Sequence, residues 1–335
     1  MRKNKVKWGI LGCARIAIRA LIPALEKSPH ADLIAIASRS REKAREVAEK
    51  FRIPRFYGSY QELLKDEEIE AVYIPLPNHL HKEWVIKCAR AGKHILCEKP
   101  LGLNYQECRE MFEECEKNKV LLMEAFMYRF HPQIEKAKEI VVTGEIGEIN
   151  LVRSGFSFYF PEEDLRKDYR GKKEFGGGAL YDIGCYCVNI SRHFLGNPDK
   201  VFATAIFHPH LGIDLSGAAI LSFPGGKIAL IDWSFRRPLN RFCKIEGEKG
   251  SLLISLPFIT VPEPTRLILR KNGKEKTYSF PPLDVYEKEV EAFSRSIRRE
   301  TAPLLPPQDS LGNSLVLDGL RSSINSREAV SKLSV

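Results

Sequence analysis

Two hydrophobic rhythms share this chain. Through residue 125, short runs rich in Val, Ile and Leu recur: VKWGILG (6–12), DLIAIAS (32–38), AVYIP (71–75), HILCE (94–98) and VLLME (120–124). Runs apolar on both faces suit strands buried in a parallel sheet. Between them lie amphipathic stretches at 15–27, 41–51, 79–91 and 104–118, each charged along one side, as in REKAREVAEK. Strand and helix in alternation predict a doubly wound parallel sheet over 1–125. A further helix is predicted from Pro132 to Thr143.

Beyond residue 149 the period falls to two. INLVRSGFSFYF, KVFATAIF, SGAAILSF, KIALIDWSF, FCKIEGEKGSLLIS and TRLILRKNGKEKTYSF alternate apolar with polar positions. Turn signals such as Pro224-Gly225-Gly226 and Asn272-Gly273 separate them, which predicts antiparallel strands with one buried face. Helices are predicted at 178–195, 284–299 and 310–326. The expected class is α/β, with a second, α+β domain over 126–335 whose last helices can pack back on the first.

Composition narrows the options. A chain of 335 residues suits two domains, and 44% apolar with 28% charged residues is the balance of a soluble globular protein. The net charge is +9. Basic and acidic residues interleave, as in SREKAREVAEKF, and no basic stripe with interleaved aromatics stands out, so no nucleic-acid partner is expected. No run approaches the roughly 18 apolar residues of a membrane span. The eight cysteines form no C-x-x-C pair, and MRKNKVKWGIL lacks a signal-like apolar core. A cytoplasmic protein with reduced, mostly buried thiols is expected.

The first strand ends in Gly9-Ile10-Leu11-Gly12-Cys13-Ala14-Arg15-Ile16-Ala17. A dinucleotide turn needs a small residue at the bend, one beside the pyrophosphate and one where helix meets strand. Gly12, Ala14 and Ala17 fill those places, and the following helix offers free N–H groups to phosphate. At the end of the second strand stand Ser38, Arg39 and Ser40, with no acid to hold a ribose hydroxyl. Arg39, with Lys43 one turn on, suits a 2′-phosphate and favours NADP over NAD. Leu76-Pro77-Asn78-His79-Leu80-His81 follows the third apolar strand, at the edge where cofactors lie in such sheets. Asn78 and His81 are the contact candidates there. His79 with His81, and His208 with His210, lack a third ligand at suitable spacing, so no metal site is expected.

Several segments in order resemble one family: GILGCARIA, ASRSREKA, PLPNHLHKEW, HILCEKPLGLN, EAFMYRFHPQ, GGGALYDIGCYCVNISRHFLG and YEKEVEAFSRSI. They resemble the glucose–fructose oxidoreductase and inositol 2-dehydrogenase family (Gfo/Idh/MocA). The likeness is greatest to its dihydrodiol dehydrogenase, D-xylose dehydrogenase and sugar-ketoreductase branch. The resemblance implies an N-terminal Rossmann domain and a C-terminal domain with a large, open, mostly antiparallel sheet. Through that sheet homodimers or homotetramers would form. It implies that Lys99 of the Glu98-Lys99-Pro100 motif sits beside the nicotinamide and the substrate carbinol, often with the bond to Pro100 cis. The family's D-x-G-x-x-H pattern reads Asp182-Ile183-Gly184-Cys185-Tyr186 here, with tyrosine in place of histidine.

Reducing a carbonyl by hydride requires a proton for the oxygen that turns negative. Tyr186 and Lys99 can cooperate in this, because a nearby ammonium eases ionisation of a phenol. Asp182, four residues before Tyr186 and so on the same helix face, would orient substrate or a neighbouring side chain. The expected cofactor contacts are Gly12, Cys13, Ala14, Arg15, Ile16, Ser38, Arg39, Lys43, Leu76, Pro77, Asn78, His81, Glu98, Lys99 and Arg170. Arg129 and His131 are further candidates for the same edge, and Cys185 and Cys187 are expected to pack. The expected activity is NADP(H)-dependent hydride transfer to or from a CH–OH carbon of a sugar, sugar derivative or cyclic trans-diol. The alternative is a catalytically silent NADP-binding redox sensor.

Overall fold

Strand β1 (Val6–Leu11) opens a βα alternation: α1 (Ile22–Lys27), β2 (Ala31–Ala37), α2 (Arg41–Phe51), β3 (Arg55–Tyr57), α3 (Tyr60–Leu64), β4 (Ala71–Ile74), α4 (His81–Arg90), β5 (His94–Glu98), α5 (Tyr105–Lys117) and β6 (Leu122–Ala125). After α6 (Pro132–Val142) the chain becomes strand-rich. There follow β7 (Ile149–Ser157), α7 (Glu162–Lys167), α8 (Cys185–Leu195), β8 (Lys200–Phe207), β9 (Asp214–Phe223), β10 (Lys227–Ser234), β11 (Asn240–Gly247), β12 (Gly250–Ile254), β13 (Thr265–Lys271) and β14 (Lys274–Phe280). Helices α9 (Val285–Ile297) and α10 (Pro307–Ser326) and a short β15 (Val330–Ser331) complete it. This computed structural model describes residues 5–258, 261–331 and 333. The chain divides into two compact units: the part up to Met127 with Asp284–Ser310, and Tyr128–Leu283 with the part from Leu311 on. Helix α9 lies in the first unit, and α10 begins there and continues into the second from Leu311 on.

The first unit is a six-stranded parallel sheet in the order β3-β2-β1-β4-β5-β6. Its strands are buried on both faces, which is why they read as unbroken apolar runs. Ser40, Ser59, Asn104 and Asp284 cap α2, α3, α5 and α9 by accepting a main-chain N–H three residues on. Helix α9 closes one face: the Trp8 indole donates to Ser294 Oγ at 3.2 Å and its ring meets Phe293 at 5.8 Å. The β3–α3 segment was not visible as a separate rhythm, because β3 has only three residues and all are half-buried.

The second unit is a nine-stranded sheet in the order β14-β13-β12-β11-β7-β10-β9-β8-β15. Every pairing is antiparallel except β7 with β10. Helix α8 covers its middle and is buried over nearly its whole length. The predicted helix at 178–195 begins as a wide π turn, Leu180–Gly184, before settling into α8. The other face carries exposed Phe202, Ile206, Ile220, Ile228 and Leu230. No helix among the described residues is long and apolar enough to cross a membrane.

Candidate functional site

The glycine turn is shaped by one backbone angle. Gly12 has φ +119°, and a Cβ there would come within 3.1 Å of Leu76 Cδ2. Only glycine adopts that angle without strain, and its bare Cα leaves room for a ligand to approach the main chain. The Gly12 N–H is taken by Ala37 O at 2.8 Å, which ties the turn to β2. From Arg15 the chain is helical, with Arg15 exposed and Ala14 and Ile16 half-exposed. The first-turn N–H groups of such a helix have no intrahelical acceptor and suit a phosphate.

The end of β2 gathers around that turn. The Ser38 hydroxyl accepts from Ser40 N at 3.3 Å, and the Cys13 thiol donates to Lys43 O at 3.8 Å. Burial pushes the Cys13 thiol up, against the pull of Lys43 and the Ser38 hydroxyl. Arg39 is exposed and lies against the Tyr60 hydroxyl. Tyr60 in turn stacks edge-on to Trp84 at 4.8 Å. Ser38, Arg39 and Lys43 thus frame a patch with hydroxyl, guanidinium and ammonium groups and no carboxylate from the β2 end.

A second part of the first unit surrounds Lys99. The Lys99–Pro100 bond is cis. The Lys99 main-chain N–H donates to Glu98 Oε2 at 3.3 Å, and the Tyr73 hydroxyl donates to Glu98 Oε1 at 2.5 Å. Leu101 N donates to Glu124 Oε1 at 3.0 Å. The His81 ring closes the loop: Nδ1 faces Pro100 O at 3.0 Å and Leu101 O at 3.2 Å, and Nε2 faces Leu76 O at 2.8 Å. Main-chain and side-chain bonds therefore hold both sides of Lys99 while its own side chain stays half-buried.

The second unit carries Asp182 and Tyr186. Asp182 is 7% exposed, and its Oδ2 pairs with Arg170 Nε at 2.9 Å. Arg170 also binds Asp168 at 3.1 Å. These carboxylates hold its guanidinium charged against the cost of burial. The turn bearing Asp182 is fixed from below by Asp214, whose Oδ2 accepts from Leu180 N and from Trp233 Nε1, each at 2.8 Å. Gly178, at φ +106°, lets the chain pass there, since a Cβ would lie 2.1 Å from Asp214 Oδ1. Burial pushes the Asp214 carboxyl up to about 6. The Tyr186 ring is walled by Tyr128, Phe156 and Phe258, with centroids at 5.9, 5.7 and 5.3 Å. The Tyr128 hydroxyl donates to Asn189 Oδ1 at 2.5 Å.

Comparison with known proteins matches both parts of the chain. Residues 6–126 match the Gfo/Idh/MocA oxidoreductase family, NAD-binding Rossmann fold, and residues 134–253 match the Gfo/Idh/MocA C-terminal domain. The chain belongs to the Gfo/Idh/MocA family. D-xylose 1-dehydrogenase (NADP(+)) 2 of Haloferax volcanii is 39% identical over 326 residues, 96% of this chain and 98% of that protein. A trans-1,2-dihydrobenzene-1,2-diol dehydrogenase of Mus musculus is 35% identical over 281 residues, 83% of this chain and 80% of the relative. A solved 3-ketoreductase from Actinomadura kijaniata, in complex with NADP and TDP-benzene, aligns with a TM-score of 0.88 at 30% identity, over 96% of this chain and 98% of that one.

Four of the expected residues have partners within the protein. His81 was expected to touch cofactor, but it is fully buried and both ring nitrogens face main-chain carbonyls, so it braces the Lys99 loop. Arg170 was expected at the cofactor. Its guanidinium is engaged by Asp182 and Asp168 within the second unit. Arg129 and His131, assigned to the edge of the first sheet, belong to the second unit. Arg129 donates to Asn189 Oδ1 at 3.3 Å, and His131 Nδ1 caps α6 by accepting from Gln133 N at 3.1 Å. Cys185 and Cys187 are buried thiols, as expected. Tyr60 and Asn189 were missed, because their partners, Arg39 and Tyr128, lie far away in the chain.

Proposed function

We propose that this chain is an NADP(H)-dependent oxidoreductase acting on a CH–OH or C=O carbon of a sugar, sugar derivative or cyclic trans-diol. The observation that carries the reading is the pairing of Asp182 with Arg170 one helical turn before Tyr186, in a chain that also holds Lys99 in a loop braced by Glu98, Glu124 and His81. The NADP-linked relatives support the same class. When bound, NADP(H) supplies or accepts the hydride at nicotinamide C4.

The fit to that cofactor rests on the bare Gly12 bend and on the Ser38, Arg39 and Lys43 groups. Main-chain N–H groups of Cys13, Ala14, Arg15 and Ile16 hold the pyrophosphate. Arg39, with Ser38 and Lys43, takes the 2′-phosphate by charge-assisted bonds. Leu76, Pro77, Asn78 and Glu98 line the rest of that edge. Tyr186 gives its phenolic proton to the substrate oxygen in reduction and takes it back in oxidation. Lys99 is the second proton-handling group of this reading, its ammonium suited to stabilising negative charge on a substrate oxygen. Asp182, held by Arg170, accepts a hydrogen bond from a substrate hydroxyl. The aromatic wall keeps water from the Tyr186 ring. The exposed apolar face of the second sheet, with a hollow of about 430 Å³ lined by Phe202, Ile220, Leu230 and Phe242, supports association of copies through that face.

The test is a panel of pentoses, hexoses, keto-sugars and cyclic diols followed by NADPH absorbance, with NAD(H) in parallel. Turnover of at least one sugar or diol with preference for NADP is expected. Tight NADP binding without turnover of any panel member would favour the silent module instead.

A further inference from the structure

Asn189 stands in the middle of α8, three residues after Tyr186 and so on the same stretch of helix surface. It is 0% exposed. Asparagine is a poor helix former, and its amide costs free energy to bury unless hydrogen bonds replace those to water. A leucine at 189 would serve the helix and its packing better, so what the amide adds is its bonds. Its Oδ1 accepts twice: from the Tyr128 hydroxyl at 2.5 Å and from Arg129 Nη1 at 3.3 Å. The two donors are consecutive residues of one tight turn, Met127–Phe130, and both are buried.

Those bonds bear on Tyr186. The Tyr128 ring lies against the Tyr186 ring at 5.9 Å and meets Phe258 edge-on at 5.3 Å. Phe258 stacks on Phe156 at 5.4 Å, and both also touch Tyr186. Of these three wall rings, Tyr128 is the one with a polar end. Ring contacts constrain a ring's place less sharply than a hydrogen bond, which weakens steeply as its geometry departs from the optimum. Asn189 Oδ1 thus pins the far end of Tyr128. The charged donor of Arg129 on the same oxygen fills its second lone pair, so the amide cannot turn without losing both bonds. All of these residues lie in the second unit.

We propose that Asn189 is a positioning residue for Tyr186: through the Tyr128 hydroxyl it sets the wall that holds the Tyr186 ring, and with it the place of the phenolic oxygen. The inference rests on the reading of Tyr186 as the group that gives and takes the proton. Proton transfer needs that oxygen within hydrogen-bond reach of the substrate oxygen, and a displacement of about 1 Å is enough to cost turnover.

Asn189→Leu, Tyr128→Phe and Asn189→Asp test this together. Leucine keeps the volume and removes the acceptor; phenylalanine keeps the ring and removes the donor. Each should lower turnover about tenfold, the scale of a misplaced reacting group, with the KM for NADPH unchanged. The double variant should be no worse than the worse single one, because both changes cut the same bond. Aspartate keeps an acceptor for Tyr128 and pairs with Arg129, so it should restore turnover. One readout needs no turnover and stands even if the proposed activity fails: nitration of tyrosine by tetranitromethane, located by fragment mass spectrometry. Tyr186 is 5% exposed and Tyr181 6%, and they lie on one continuous helical segment, so Tyr181 reports any general loosening. Asn189→Leu and Tyr128→Phe should speed nitration of Tyr186 several-fold and leave Tyr181 as it was, and Asn189→Asp should return Tyr186 to the wild-type rate. Tyr128→Phe, the milder change, carries the test alone if the leucine variant does not fold. Wild-type nitration of Tyr186 in these variants, a rise shared by Tyr181, or losses of turnover that multiply in the double variant would overturn the proposal. A wild type without turnover that still shows the selective nitration change would strike the activity and leave the hold of Asn189 on Tyr186 standing.

Discussion

The two units hold their candidate site residues by different means. In the first, the bend at Gly12 and the helix start after it offer main-chain groups. In the second, Asp182 and Tyr186 offer side chains only, each held by other side chains: Arg170 and Asp168 for one, Tyr128, Phe156 and Phe258 for the other. A main-chain site tolerates change in what surrounds it, because the peptide groups remain. A side-chain site fails when any one partner goes. Lys99 belongs to the first unit yet follows the second rule, since Glu98, His81 and Glu124 fix its loop.

The sharpest break in this comparison is Tyr186→Phe. The ring and its aromatic contacts stay, so folding survives, while turnover falls by roughly 10²–10⁴-fold, the share of a positioned acid–base group. Steady-state kinetics beside circular dichroism checks it, and near-normal turnover would reduce Tyr186 to a packing residue. Arg170→Met comes next. It removes the guanidinium paired with the Asp182 carboxylate, which is 7% exposed, so the variant should lose about 2–3 kcal/mol in denaturant unfolding. Stability within error of wild type would mean that the pair contributes nothing. Arg39→Asp probes the first unit. It should cut the preference for NADP over NAD by about tenfold, the worth of one charge-assisted bond, and leave turnover with saturating cofactor intact. Binding titrations with both cofactors decide it.

The smallest effect is a pH slope in the second unit. Burial lowers His131 to about 4, and burial, with Arg129 and Lys138, lowers His193 to about 2. Both titrate near about 6.5 when unfolded, so the unfolded chain takes up their protons first. Their contribution is whole above that value and drains as pH falls toward 4. Asp214, raised to about 6, runs the other way: it favours the folded state most at acid pH and loses that as pH rises from about 4. Two histidines outweigh one aspartate, so the midpoint should drop on acidification. His131→Asn keeps a helix cap and should flatten that slope. An unchanged slope would remove His131 from the balance.

The local rhythm of the chain carried much of this. Five of the six parallel strands, the Gly12 bend and the Ser38-Arg39 patch all lie within short stretches whose residue types are dictated by backbone geometry. The part that stayed hidden depends on closure over long separations. Tyr60 reaches Arg39, Arg170 reaches Asp182 and Asn189 reaches Tyr128 only once the sheet has formed. His81 misled for a related reason. A histidine at the cofactor edge reads alike whether its nitrogens face a ligand or a carbonyl, and the carbonyls come from residues 76, 100 and 101.

The return of α9 to the first sheet bears on how the chain is made. The partners Trp8 and Ser294 are 286 residues apart. During synthesis the six parallel strands emerge long before their cover, and eight of the nine strands of the second sheet are translated in between. The nascent first unit must wait with the Trp8 face bare, a contact of very high sequence separation that slows completion. A chain cut after residue 127 would keep every strand of that sheet and still be unfinished. The nucleotide-binding half is thus the first to begin folding and among the last to end it.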